Sequence, residues 1–336
     1  MAKFGDAGAA VAALPGLAKR AVRIPEVAAA RREIEAVSRL GGVMLFVDTP
    51  GYPQVLAATE DAPAVLQVLG DPGLLGRRSV AVVGSRNASA NARRLAESLS
   101  ADLAAAGLVV VSGLARGVDA AAHIGALRAG ATVACVAGGV DVAYPRENAA
   151  LQARIAAEGA VVAELAPGTQ PQARHFPRRN RVIAGLSLGT VVVEAAPQSG
   201  SLITARLAGE AGREVFAVPG SPLDERARGA NGLIREGAHL VERAEDVIAL
   251  LPGEADLQVR QARLGFSEAD SGLEVPDSVR DAVLALLSAS PTDVDDIVRH
   301  CHVPAPAVVS VLLELELAGL TESLPGGRVA LVAGAI

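Results

Sequence analysis

A chain of 336 residues with a formal net charge of −6 and a pI near 5.5 is long enough to bury a sizeable core, and its length suggests roughly two or three domains. Apolar residues make up 51% of it and aromatics only 2%; no apolar stretch approaches the ~20 residues of a membrane span, and Asp6 close behind Lys3 argues against a secretory signal, so no membrane contact and a cytoplasmic location are expected. The acidic balance excludes a protein coated in positive charge, so any nucleic-acid contact has to be focused on a local site.

Residues 1–40 are Ala-rich, with helices expected around Ala7–Ala21 and Pro25–Leu40. Residues 41–78 hold a short strand, Val43–Val47, and a second apolar piece, Ala64–Leu69; clustered Pro and Gly mark them as a connecting layer. From Ser79 the pattern turns regular. The strands are Ser79–Val83, Leu108–Val111, Thr132–Val136, Ala160–Glu164, Thr190–Glu194 and Glu214–Val218, each followed by a loop and a helical segment. Six such alternations with continuous apolar strands predict an α/β fold, a doubly wound, mainly parallel sheet covered on both faces. In that architecture ligands collect where loops leave the carboxyl ends of the strands. The expected domains are a helical segment over 1–40, the sheet domain over 41–252, a polar linker over 253–276 and a small module over 277–336. In that module Asp277–Leu287, Asp293–Cys301 and Ala305–Ala318 read as helices before a hairpin turning at Pro325-Gly326-Gly327, the order of a winged helix. Its third helix carries Glu314 and Glu316 and no Lys or Arg, which favours a packing or protein-contact role over reading DNA.

The most pointed stretch is Pro171–Arg181, which holds Arg174, Arg178, Arg179 and Arg181 with Phe176 and no carboxylate. Solvated helical faces mix signs; this one is purely basic and is expected in a strand-end loop that passes into a helix from about Arg178. Phe176 suits base stacking, worth roughly 1–3 kcal/mol per base, and equally suits a core anchor for the loop. Gly84-Ser85-Arg86 follows the first regular strand, where Arg86 is placed to meet phosphate or simply to face solvent. Ser112-Gly113 opens the next loop, whose glycines permit close backbone approach, and Asp119 reads as the cap of a helix starting at Ala120. Ser199-Gly200-Ser201 opens an apolar helix and fits either an anion site at a helix N-terminus or plain capping.

Signals for catalysis are thin. Glu194 and Asp141 have no evident partner, His123 reads as a packed residue and Cys135 as a buried strand thiol; G-x-S-x-G, a Walker lysine and H-E-x-x-H are all absent. His300-Cys301-His302 has adjacent side chains that point apart and no complementary pair, so neither a metal nor a cofactor is expected.

Ser112–His123 (S-G-L-A-R-G-V-D-A-A-A-H), Tyr144–Asn148 (Y-P-R-E-N), Phe176–Ser187 (F-P-R-R-N-R-V-I-A-G-L-S), Ser199–Ala205 (S-G-S-L-I-T-A) and Val215–Gly220 (V-F-A-V-P-G) closely resemble the DNA-processing protein A family, also called Smf. The similarity runs from about Tyr52-Pro53 to Leu251, and the family's frequent C-terminal winged-helix module matches 277–332. The resemblance implies a Rossmann-like protein without known catalysis. Such a protein binds and protects single-stranded DNA, helps load the RecA recombinase during natural transformation, and forms a homodimer through its Rossmann-like domain. By motif, Gly84, Ser85, Arg86, Ser112, Gly113, Arg174, Phe176, Arg178, Arg181, Ser199, Gly200 and Ser201 would line the DNA path. Arg174 would stand in for a lysine that some relatives carry just before the phenylalanine. Ala90-Asn91 replace a Tyr-Gly pair common after Arg86, and the N-terminal helical domain of many relatives is not recognisable in 1–40. The rival reading is a Rossmann-like nucleotide phosphoribohydrolase; it requires a P-G-G-x-G-T-x-x-E loop, whose pieces here, Gly189-Thr190 with Glu194 and Pro219-Gly220, are split between two strands. A third is an adaptor acting through the C-terminal module alone.

Overall fold

Apolar residues alternate between two cores along every central strand, which fixes the architecture of the larger part of the molecule. In β3 (Ser79–Val83), Ala81 and Val83 join one core while Val80 and Val82 join the other. The computed structural model describes residues 26–253, isolated positions before them and most of 277–332. It divides into two compact units, Met1–Gln261 and Ala262–Ile336, each described by itself below.

In the first unit, chain order gives α1 (Val27–Arg39), β1 (Val43–Phe46), α2 (Gln54–Ala57), β2 (Val65–Gly70) and β3. Then come α3 (Ala90–Ala105), β4 (Val109–Ser112), α4 (Val118–Ala129), β5 (Thr132–Cys135), α5 (Ala149–Glu158) and β6 (Ala160–Ala163). The unit continues with α6 (His175–Leu186), β7 (Gly189–Val192), α7 (Gly200–Glu210), β8 (Glu214–Ala217), α8 (Arg228–Arg235), β9 (His239–Leu240) and α9 (Ala244–Ile248). The strands form one sheet in the order β1-β2-β6-β5-β4-β3-β7-β8-β9. From β6 to β9 every pairing is parallel, with register fixed by pairs such as Val80↔Val110 and Val82↔Val191.

Two elements differ from expectation. Residues 41–78 are more than a connecting layer: β2 pairs antiparallel with β6, and β1 with β2, so they extend the sheet at one edge. Beyond β8 the short β9, unmarked by any apolar run, adds a last parallel strand.

One face of the sheet is covered by Val182, Ile183 and Leu186 of α6, Ala205 of α7 and Ala230 of α8. The other is covered by Ala96, Leu99 and Leu103 of α3, Ala122 and Ala126 of α4 and Val247 of α9. Aromatic side chains are not needed because the helices approach closely. A Cβ on Gly125 of α4 would overlap the Glu97 carbonyl of α3, so small residues set that spacing. The chain leaves β3 toward β4 on one side and β7 toward β8 on the other, which opens a crevice between their carboxyl ends.

In the second unit, α10 (Asp277–Leu286), β10 (Thr292–Asp293) and α11 (Val294–Cys301) precede the antiparallel pair β11 (Thr321–Leu324) and β12 (Arg328–Leu331). The three strands run in the order β10-β12-β11. The core is Val283, Leu287, Ile297, Val308, Val311, Leu312, Leu315 and Val329. Residues 308, 311, 312 and 314–316 are helical, with Glu314 and Glu316 exposed; the rest of the expected Ala305–Ala318 helix, the Pro325–Gly327 turn and the linker at 254–276 lie outside the described residues. So does almost all of the expected Ala7–Ala21 helix.

Candidate nucleic-acid interface

The crevice between β3 and β7 is a cleft of about 490 Å³ lined by Gly84, Ser85, Arg86, Phe176, Ser199, Gly200 and Ser201, together with Asp119, Arg179, Asn180 and Thr204. Three loops and two helix starts build it. On the β3 loop, Ser85 donates its backbone N–H to the Glu194 carbonyl at 2.7 Å, and the Glu194 carboxylate accepts from the Ser89 N–H at 3.1 Å. Ser89 then caps α3 by accepting from Ala92 N at 3.0 Å. Glu194, without a visible partner in the sequence, is thus the clamp that joins the β3 and β7 loops.

Two glycines are required where these loops cross. A Cβ on Gly84 would sit 2.6 Å from Val118 Cγ2, and Gly117 has φ +78 against the carbonyl of Ser85. Gly117 is the N-cap of α4, which starts at Val118. Asp119 therefore lies inside the first turn, where its carboxylate accepts from the Ala115 N–H at 3.3 Å, and is not the cap expected for a helix beginning at Ala120.

The helix expected from about Arg178 begins three residues earlier, at His175, and helical spacing splits the arginine run into two pairs. Phe176 and Arg179, three apart, face the cleft. The Arg86 guanidinium carbon stands 4.9 Å from the Phe176 ring centroid and that of Arg179 5.9 Å, so two guanidinium groups lie within cation–π range of one ring. Arg178 and Arg181, also three apart, turn toward β6, where both bond the same Glu164 oxygen, at 2.9 and 2.7 Å. Arg178 remains 59% exposed; Arg181 is 15% exposed and also bonds the carbonyl of Asp61. Arg181 accordingly ties α6 to the loop before β2 and is turned away from the cleft. Arg174 is exposed just ahead of the helix, its Nε 3.5 Å from His175 Nε2.

Arg179 is the residue that the motif comparison passed over. Its buried guanidinium donates to the carbonyls of Gly113 and of Cys135 (2.6 Å), and its Nε to Asn180 Oδ1 at 3.2 Å. Asn180 in turn donates to the Gly200 carbonyl at 3.3 Å, so these two side chains together link the ends of β4 and β5 to the start of α7. This corrects the expectation for Ser112 and Gly113. Ser112 is fully buried with its hydroxyl donating to Val82 O at 2.6 Å, and Gly113 lies beneath Arg179, which a Cβ would displace. They support the cleft from behind. The i, i+3 spacing of Phe176 and Arg179 was the available signal.

Burial pushes the Asp119 carboxyl above its usual range, opposed mainly by the charge of Arg179. Burial also drives His123 down to about 3 and Cys135 up to about 12. His123 is neutral, its Nδ1 2.7 Å from the Thr132 hydroxyl, and Cys135 stays a thiol, so neither supplies a base or a nucleophile at neutral pH.

At the start of α7 the Ser199 hydroxyl caps the helix, 3.4 Å from Ser201 N, and lies 2.7 Å from the Ser201 hydroxyl. Gly200 is exposed beside them. The cleft thus offers one exposed guanidinium, one aromatic face and a helix N-terminus. These are means of holding a phosphate and a base. Among the described residues, no three His, Cys, Asp or Glu side chains gather into a metal site, and no helix is long and apolar enough to cross a membrane.

A family model for DNA recombination-mediator protein A matches residues 43–252, and one for the DprA winged helix domain matches residues 267–327. Protein Smf of Escherichia coli K12 is 40% identical over 293 residues, 86% of this chain and 77% of its own length. The DNA processing protein DprA of Bacillus subtilis 168 is 42% identical over 232 residues, 68% of this chain and 76% of its own. Among solved structures, DNA processing protein A of Streptococcus pneumoniae superposes with a TM-score of 0.64 at 42% identity, over 68% of this chain and 80% of that one. The Helicobacter pylori protein, described for its single-stranded DNA binding mode, superposes at 0.56 with 29% identity, over 61% of this chain and 94% of that one. The sheet unit that builds the cleft is the part the first family model spans, and the smaller unit overlaps the second. The chain belongs to the DNA recombination-mediator protein A family, also called DprA or Smf.

Proposed function

We propose that this chain binds single-stranded DNA along the carboxyl edge of its parallel sheet, with no catalytic step of its own. The observation that carries the reading is the convergence of Arg86 over the Phe176 ring, 4.9 Å from its centroid, opposite the Ser199–Ser201 start of α7. A phosphate would meet the guanidinium on one side and the positive end and serine hydroxyls of the helix start on the other, and the ring face accepts a base without regard to its identity. Arg174 and the exposed side of Arg178 extend the positive rim. The single-strand binding described for the Helicobacter pylori relative supports the same reading. Ser112, Gly113 and Arg181 are support, not contacts, in this account.

The role that follows is a cytoplasmic one: protecting single strands and helping load the RecA recombinase on them in natural transformation and recombination, as a homodimer joined through the Rossmann-like unit. A mobility-shift titration of single- against double-stranded oligonucleotides tests the binding step. Preference for the single strand, lost in Arg86→Ala, is expected; equal affinity for duplex would contradict it. Faster RecA nucleation on single strands in the presence of the protein tests the loading step.

A further inference from the structure

Tyr144 stands 48% exposed in a chain with only two tyrosines and no tryptophan. The other tyrosine, Tyr52, is buried with its hydroxyl donating to the Pro63 carbonyl at 2.6 Å, which is an ordinary structural role. Tyr144 instead places its ring 5.8 Å from that of Phe176, tilted by 57°. Its loop is firmly held. Asn148 donates to the Leu114 carbonyl at 2.9 Å, Glu147 pairs with Arg116 at 2.6 Å, Gln152 donates to the Val140 carbonyl at 3.1 Å, and Asp141 accepts from Gly168 N at 2.8 Å. An apolar ring is therefore kept in solvent by a fixed backbone, next to the aromatic of the cleft and two residues before the exposed Arg146.

We propose that Tyr144 is a second base-stacking surface of the single-stranded DNA path, which carries the strand from Phe176 across the β5 loop toward Arg146. The proposal rests on the reading of the cleft as a single-strand site. The geometry also states what the ligand must be. Bases lying parallel to these two rings inherit their 57° tilt, so they are unstacked from each other. A duplex cannot offer that, whereas an unpaired strand of any sequence can.

The absence of tryptophan gives a direct test, because Tyr144→Trp introduces a single emitter. Saturable quenching of its emission by oligothymidylate, with no change on adding tripolyphosphate, is expected. Tyr144→Ala should weaken oligothymidylate binding by about tenfold with an unchanged salt slope and melting temperature, and Tyr144→Phe should match wild type. Unchanged emission at saturation overturns the proposal, as does wild-type affinity in Tyr144→Ala or an equal loss in Tyr144→Phe. If wild type binds and Arg86→Ala weakens it while the Tyr144 variants are silent, only the second platform falls. If wild type fails to bind oligothymidylate, the cleft reading falls and the platform with it.

Discussion

Phe176 and Arg86 touch one another, yet they hold different parts of a nucleotide, and their substitutions should separate on that basis. Phe176→Ala removes a π face and should cost about 1–3 kcal/mol of binding at every salt concentration. Arg86→Ala removes a counter-charge and should lessen the salt dependence itself. Glu164 makes the opposite prediction. It holds Arg178 and Arg181 on one oxygen, so Glu164→Gln frees the exposed Arg178 for phosphate while it loosens the mostly buried Arg181. Tighter binding at low salt is expected, together with a stability loss of about 1–3 kcal/mol read from urea midpoints. His123 weakens the fold in acid. Burial drives its pKa from the ordinary 6.5 down to about 3, so the unfolded chain takes a proton that the folded one refuses. Its contribution is whole above pH 6.5 and drains away as the pH falls toward 3; His123→Gln should flatten that decline in urea midpoints measured between pH 7 and 4.5.

At the scale of elements, the alternation of apolar strands with helices was legible because each strand is buried on both faces and reads as a continuous run. The edge strand β1 and its neighbour β2 were harder. Val43–Phe46 is partly exposed and looks like any short apolar piece, so its place in the sheet depends on partners remote in the chain. The site was legible in its residue types and not in its grouping. Phe176, Arg178, Arg179 and Arg181 read as one basic patch, but a helix turns successive residues by about 100°, and that rotation sends one pair to the cleft and the other to Glu164. Glu164 itself gave no sign, because nothing in a strand's last residues says which later helix will lie above it. The close approach of α3 and α4 is testable too. Gly125→Ala forces a methyl group against the Glu97 carbonyl and should cost about 1–3 kcal/mol, read as a lowered urea midpoint with DNA binding kept in the folded fraction.

For the whole molecule, a net charge of −6 and the proposed DNA ligand are compatible because several carboxylates hold cations away from the cleft. Arg181, Arg116 and Arg128 are each paired with a glutamate, while Arg86 remains exposed over Phe176. A chain ended at residue 252 keeps the entire cleft and should bind single strands as the full chain does, whereas an adaptor acting through its smaller unit would lose binding. The most direct measurement is the dependence of single-strand affinity on salt, wild type beside Arg86→Ala. With about two phosphates met by Arg86 and Arg174, and Arg178 held by Glu164, log K should fall against log salt with a slope of about −1.4 for wild type, shallower by about 0.7 for the variant. A slope near zero, or one that Arg86→Ala leaves untouched, would contradict binding through this cleft.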